Sequence, residues 1–206
     1  MFDLDGTLID SKADIAAQVD AALVAGGFPS RSSEEIVRWV GRGARYLFAN
    51  LTGAEPAVVE ALVKDFSRRY AEHMADATRP YPGALEALEH YAGVPKLVIT
   101  NKGQAFADGL IDRLGLRPHF RAVFGAEAFE RRKPDPLPLR EACRRFGVEP
   151  GRAAFVGDSW PDMAASKACG TLSVCALYGY GDAAAMRELR PDYEIHGLPE
   201  LIGLFR

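Results

Sequence analysis

The sequence predicts an α/β protein: a parallel sheet covered by helices on both faces, with an all-helical block inserted after its first strand. Three observations predict it. Beyond Tyr81, short apolar runs alternate with segments of helical period. Between residues 11 and 78 the periodicity is helical throughout. Ahead of that block stands a strand-like run with a tight turn, FDLDGTL, at residues 2–8. Short apolar strands separated by helices build βαβ units, whose parallel sheets are buried on both faces.

Each element has its own local signal. FDLDGTL reads as a buried strand closed by Gly6, which permits a sharp turn. In the helical block, KADIAAQVDAALVAGG (12–27) ends on a glycine pair that suits a helix stop. SSEEIVRWV (32–40) opens a second helix with a serine cap and first-turn acidic residues, favourable at the positive end of the helix dipole. PAVVEALVKDFSRRYAEHM (56–74) has proline at its head and apolar residues three to four apart. Beyond YPG (81–83), the expected strands are KLVIT (96–100), AVFGA (122–126), AAFVG (153–157) and TLSVCAL (171–177). Helices are expected at GALEALEHY (83–91), FADGLIDRLG (106–115) and PLREACRRFG (138–147). The expected division is a discontinuous sheet domain, residues 1–10 and 79–206, and a helical domain, residues 11–78.

Composition narrows the function. The 206 residues are 48% hydrophobic and 26% charged, with a net charge of −3, as in ordinary globular proteins. Lys and Arg (25) are scattered and slightly outnumbered by Asp and Glu (28), which argues against a nucleic-acid partner. The run RRK at 131–133 is too short to change that. Cys143, Cys169 and Cys175 lack metal-ligand spacing and read as reduced apolar fillers. No apolar stretch approaches the roughly 20 residues of a membrane span, and no charged-then-apolar leader opens the chain. The expectation is a cytoplasmic protein without a membrane partner; its oligomeric state is left open.

Asp3 and Asp5, two residues apart on a strand-like run, are expected to project to the same side. In parallel sheets ligands bind outside the carboxyl ends of strands, where this turn falls. Two crowded carboxylates repel, so a hard cation such as Mg²⁺ is their natural partner. It would hold the pair ionised and screen an incoming phosphate, which one carboxylate attacks while the other handles the proton. An isolated Asp-x-Asp is usually a solvated turn. Here the string FDLDGTLID, with Asp10 and Ser11 where a helix cap is due, resembles the first motif of the haloacid dehalogenase-like phosphatase superfamily.

Three further motifs follow in the order the resemblance requires: KLVITNK (96–102), RRKPDP (131–136) and AAFVGDSWPDM (153–163). Taken singly, Thr100-Asn101 suits a helix cap equally well, and a lone lysine is usually solvated. Together they imply a Rossmann-like core, with strand one at its centre and residues 11–78 as a C1-type cap that excludes water. Asp3 is then the nucleophile and Asp5 the acid/base, the residue that separates phosphatases from dehalogenases. The implied Mg²⁺ ligands are Asp3, Asp158 and the backbone carbonyl of Asp5. Asp162 would hold a metal-bound water or the lysine. Thr100 and Asn101 would bind the phosphoryl oxygens, and Lys133 would offset charge on nucleophile and phosphoryl group.

TNK, KPDP, GDSxxD and YGYG (178–181) look most like phosphoglycolate phosphatases, although YGYG is shorter than the glycine-rich stretch of that subfamily. In WVGRGARYLF (39–48), Gly43 and Arg42 could present amides and a guanidinium to a small carboxylate. Equally, Arg42 and Arg45 could line a polar helix face. Lys102 is a further substrate candidate, with a plain surface role as its alternative. The expected function is therefore Mg²⁺-dependent hydrolysis of a small phosphate monoester, 2-phosphoglycolate first, through an aspartyl-phosphate. Sugar-phosphate or pyrophosphate phosphatases would share the same catalytic residues, as would a phosphoglucomutase-like phosphotransferase. A regulatory binding module with a dead site is the non-enzymatic alternative. Only Met1 and Phe2 precede Asp3, too few for a usual strand of five or six residues, so an upstream apolar run is expected in the natural chain.

Overall fold

The computed structural model describes residues 1–205. The chain starts in the middle of its sheet. Phe2 bridges Val98 on one side and Val156 on the other, both in parallel. Its amide donates to Leu97 O at 2.9 Å, and its carbonyl accepts from Ile99 N at 2.8 Å. Beyond Asp3 the backbone leaves the sheet. The amides of Thr7, Leu8 and Ile9 all turn back to Leu4 O, with Gly6 at a φ of 82°. FDLDGTL is thus a strand only through Asp3. Asp5 lies in the turn, so it shares a side with Asp3 through the turn and not through strand alternation.

A two-residue strand β1 (Ile9–Asp10) carries the chain out and pairs antiparallel with β2 (Arg79–Pro80), which brings it back. Between them lie four helices: α1 (Lys12–Ala25), α2 (Ser33–Val37), α3 (Ala44–Thr52) and α4 (Pro56–His73). The helix expected to run on through Val40 stops at Val37, and α3 is a separate element. Gly41 and Gly43 break the path with φ values of 107° and 89°, a region closed to most side chains. Ser32 and Glu35 form the reciprocal capping box that starts α2. α4 buries Val59, Leu62, Phe66 and Tyr70, one face at the expected spacing. Each such side chain contributes roughly 1.5–3 kcal/mol. At the end of α1, Gly26 has no Cβ, which would sit 2.6 Å from Leu62 Cδ2, so α4 packs close.

The sheet resumes with β3 (Leu97–Ile99) and β4 (Ala122–Phe124), then β5 (Ala154–Gly157), β6 (Leu172–Ala176) and β7 (Tyr193–Ile195). Its order is β4, β3, the opening segment, β5, β6, β7, parallel throughout. Helices α5 (Ala84–His90), α6 (Gln104–Arg113), α7 (Leu137–Phe146), α8 (Trp160–Cys169) and α9 (Ala183–Glu188) cover it. Alternate strand residues enter two separate cores. Val98, Val156 and Val174 join Leu88 and Leu110 of α5 and α6; Leu97, Ile99 and Phe155 join Leu139, Ala142 and Ala165 of α7 and α8. Burial on both faces explains the unbroken apolar runs. β7 and α9 were not expected: β7 is an edge strand in which Ile195 is buried and Glu194 is exposed, so it has no such run.

Candidate active site

The strand ends and their loops bring the motif residues together. Asp3 ends the opening segment, Thr100 follows β3, Lys133 stands in the loop before α7, and Asp158 follows β5. All four are at most 5% exposed. Lys133 Nζ lies 2.8 Å from Asp3 Oδ1 and 2.6 Å from Asp162 Oδ1. Only the second contact is aligned as a hydrogen bond, which leaves Asp3 Oδ1 buried in an ion pair without one. Asp162 Oδ2 accepts from Ser159 N and Oγ, closing the capping box that starts α8.

Asp3, Asp158 and Asp162 each offer an oxygen within 4.8 Å of the others. One ammonium therefore faces three buried carboxylates. Burial, then Asp162, raises Asp3 to about 6 although Lys133 pulls it back. Asp158 is pushed well above the carboxylate range by burial and by the charges of Asp162 and Asp3. Burial opposes the charge on Lys133, but Asp162 and Asp3 outweigh it and raise its pKa. Three buried carboxylates against one ammonium leave excess negative charge, which fits a hard divalent cation with oxygen ligands.

Asp158 is held from two sides: Thr7 Oγ1 donates to Oδ1 and Tyr180 N to Oδ2, both at 2.8 Å. The surrounding glycines are required by space. A Cβ on Gly6 would lie 2.2 Å from Asp158 Oδ2; one on Gly179 would lie 2.2 Å from Asp158 Cβ. YGYG is thus the seat of Asp158. Its tyrosines fix the opening turn as well: Tyr178 OH donates to Thr7 O at 2.8 Å, and Tyr180 OH accepts from Ser11 N at 2.7 Å. The sequence marked this loop only as a subfamily signature, because nothing local shows where a loop 170 residues downstream folds back.

Asp5 stands apart from the three carboxylates. Ser11 Oγ donates to its Oδ1 at 2.5 Å, and Lys102 Nζ lies 3.1 and 3.2 Å from its two oxygens. Lys102 also donates to Tyr70 OH at 2.8 Å, so it is buried between Asp5 and α4 and not on the surface. Asn101 Nδ2 donates to Gly41 O and Lys133 O, both at 2.9 Å, which ties the loop before α3 to the lysine loop. Thr100 Oγ1 accepts from Lys102 N at 3.2 Å.

A cavity of about 260 Å³ lies between these loops and helices α1, α3 and α4. Asp3, Asp5, Thr100, Asn101, Lys102, Gly43 and Arg45 line it, together with Arg132, which the sequence passed over. Arg42 does not line it: its guanidinium sits 5.0 Å from the Tyr46 ring and 5.3 Å from the Trp160 ring. Arg45 is paired through Nε and Nη2 with Glu60.

The profile of the haloacid dehalogenase-like hydrolase family matches residues 1–176. The chain belongs to that family. Phosphoglycolate phosphatase of Neisseria meningitidis is 37% identical to this hydrolase over 97% of the chain and 90% of the relative. That of Chromobacterium violaceum is 36% identical over 100% and 95%. A crystal structure of a predicted phosphoglycolate phosphatase from Haemophilus somnus superposes with a TM-score of 0.92 at 27% identity, covering 100% of this chain and 96% of that one. The fold and the phosphatase class of this hydrolase follow from these matches.

Proposed function

We propose that this hydrolase cleaves 2-phosphoglycolate with Asp3 as nucleophile, Mg²⁺ as cofactor and residues 11–78 as a cap over the site. The observation that carries the reading is the buried Asp3 carboxylate, paired with Lys133, grouped with Asp158 and Asp162 and lining a small cavity. The names of its relatives support the substrate.

Asp3 attacks phosphorus in line, and the bond from phosphorus to the leaving oxygen breaks. Asp5 takes up a proton as the substrate's negative charge enters, gives it to that oxygen, then takes one from the water that hydrolyses the aspartyl-phosphate. Ser11 and Lys102 keep the Asp5 carboxylate aimed into the cavity. Lys133 offsets negative charge on Asp3 and the transferring group, while Thr100 donates to a phosphoryl oxygen. Asp3, Asp158 and the carbonyl of Asp5 would hold Mg²⁺, and Asp162 would fix the lysine. Bound there, Mg²⁺ would shield the phosphate from the carboxylates and polarise it for attack. The paired strands β1 and β2 are the joint on which the helical block would close and exclude water.

The test is phosphate release from 2-phosphoglycolate, sugar phosphates, nucleotides and pyrophosphate. Phosphoglycolate should give the highest kcat/KM, EDTA should stop turnover, and Asp3→Asn should abolish it. Appreciable activity in Asp3→Asn would refute the role of Asp3; preference for another ester would refute the substrate.

A further inference from the structure

We infer that Arg132 selects substrates bearing a second anionic group, a carboxylate one short link away from the phosphate ester. The inference rests on the phosphatase reading above and deepens it.

Three described cations line the cavity: Arg45, Lys102 and Arg132. Two are already neutralised. Lys102 is paired with Asp5 and hydrogen-bonded to Tyr70, and Arg45 is bound at two nitrogens by Glu60. Arg132 differs. Among the described residues, the carboxylate within ion-pair range is that of Glu127, whose Oε1 is 3.8 Å from Nη2, too long for a hydrogen bond. The other oxygen of Glu127 is occupied by Gln104 N at 2.7 Å. Among the described residues, the Arg132 side chain makes a single hydrogen bond, from Nε to Ala126 O at 3.2 Å. That bond anchors the arm and leaves the two terminal nitrogens without a hydrogen bond among the described residues; the loose Glu127 contact is the one a substrate carboxylate would have to outcompete for this two-point fork.

Its position matches the task. Arg132 and Lys133 are neighbours in the chain; Lys133 reaches Asp3, whereas Arg132 reaches the loop before α3. A Cβ on Gly43 would stand 3.5 Å from Arg132 Nη1 and 3.7 Å from Asn101 O. The guanidinium therefore occupies room that a side chain at 43 would contest, against the backbone of the residue following Thr100. The phosphate end of such a substrate would meet Asp3, Lys133 and Thr100, and its carboxylate would meet Arg132. Helical cover over the substrate would remove water from this half-exposed guanidinium, which strengthens its attraction for a second charge. The carboxylate role that the sequence assigned to Arg42 falls to Arg132, because Arg42 is stacked between two aromatic rings.

The test compares 2-phosphoglycolate with ethyl phosphate, which lacks the carboxylate, in wild type, Arg132→Gln and Arg132→Lys at saturating Mg²⁺. Arg132→Gln should lose about 10²-fold in kcat/KM for phosphoglycolate, chiefly through KM. That loss should exceed its loss on ethyl phosphate at least tenfold, and Arg132→Lys should recover part of it. Equal losses on both esters would reveal a merely structural role and overturn the proposal. A wild-type preference for phosphoglycolate that survives Arg132→Gln overturns the proposal alone. A wild type with no such preference overturns the substrate reading with it.

Discussion

Replacing Asp3 by asparagine should abolish turnover and, in the absence of metal, make the protein more stable. Asp3 is 5% exposed and its carboxyl is raised from 3.8 to about 6 by burial and by Asp162, with the opposing pull of Lys133 included. At 1.36 kcal/mol per pH unit, ionising it in the folded protein costs about 3 kcal/mol above pH 6. The sign follows from linkage. The folded pKa lies above the unfolded one, so this cost is absent below about pH 4, grows between there and 6, and is complete above 6. Asparagine keeps the shape and removes the charge, while Lys133 retains Asp162 at 2.6 Å. For a domain of this size, about 3 kcal/mol corresponds to a Tm higher by roughly 6–12 °C. The assay is thermal unfolding in EDTA from pH 8 down to pH 4.5. The advantage of Asp3→Asn should be largest at pH 8 and shrink on acidification. Adding Mg²⁺ should raise the wild-type Tm more than that of the variant. A variant less stable than wild type in EDTA at pH 8 would refute the electrostatic reasoning.

Other perturbations probe the frame around the site. Gly179→Ala places a methyl 2.2 Å from Asp158 Cβ and 2.4 Å from Gly6 O; turnover should fall at least about 10²-fold, with a loss of about 1–3 kcal/mol in urea unfolding. Asp14 accepts from Ala77 N, Thr78 N and Thr78 Oγ1, at 2.6–3.0 Å, and so ties the start of α1 to the returning chain. Asp14→Ala should cost about 3 kcal/mol by leaving buried donors unpaired, seen as a lower urea midpoint that Thr78→Val only partly reproduces. Asp192 is raised by burial, but bonds from Ser173 and Lys167 outweigh that and hold it at about 2. Its stabilisation should be constant above about pH 4 and lost as pH falls toward 2; the gap in urea midpoint between wild type and Asp192→Asn should narrow over that window and nowhere higher.

The chemistry was legible because it is written in short strings. FDLDGTLID, TNK, KPDP and GDSWPD each lie at a strand end or the loop after it, and two-sided burial makes those strands continuous apolar runs. Helices α1 and α4 announced themselves through glycine, proline and spacing. The edge strand β7 did not, since one face meets solvent and its apolar content is halved. The break between α2 and α3 was marked by Gly-Arg-Gly but went unread, because helical residues stand on both sides of it.

By itself the sequence determined the α/β class, the helical block after the first strand and the set of residues proposed to handle a phosphate. Those follow from local propensity and from spacing along the chain. Which cation faces the substrate was decided only by the tertiary structure. Lys102 is paired with a carboxylate 97 residues away and Arg45 with one 15 residues away, while Arg42 lies against rings from two elements. Arg132 keeps its terminal nitrogens free of hydrogen bonds because, among the described residues, the carboxylate in range stands 3.8 Å away with its other oxygen on Gln104 N. Charge availability depends on what lies within a few ångströms, and folding sets those distances between residues that the sequence keeps far apart.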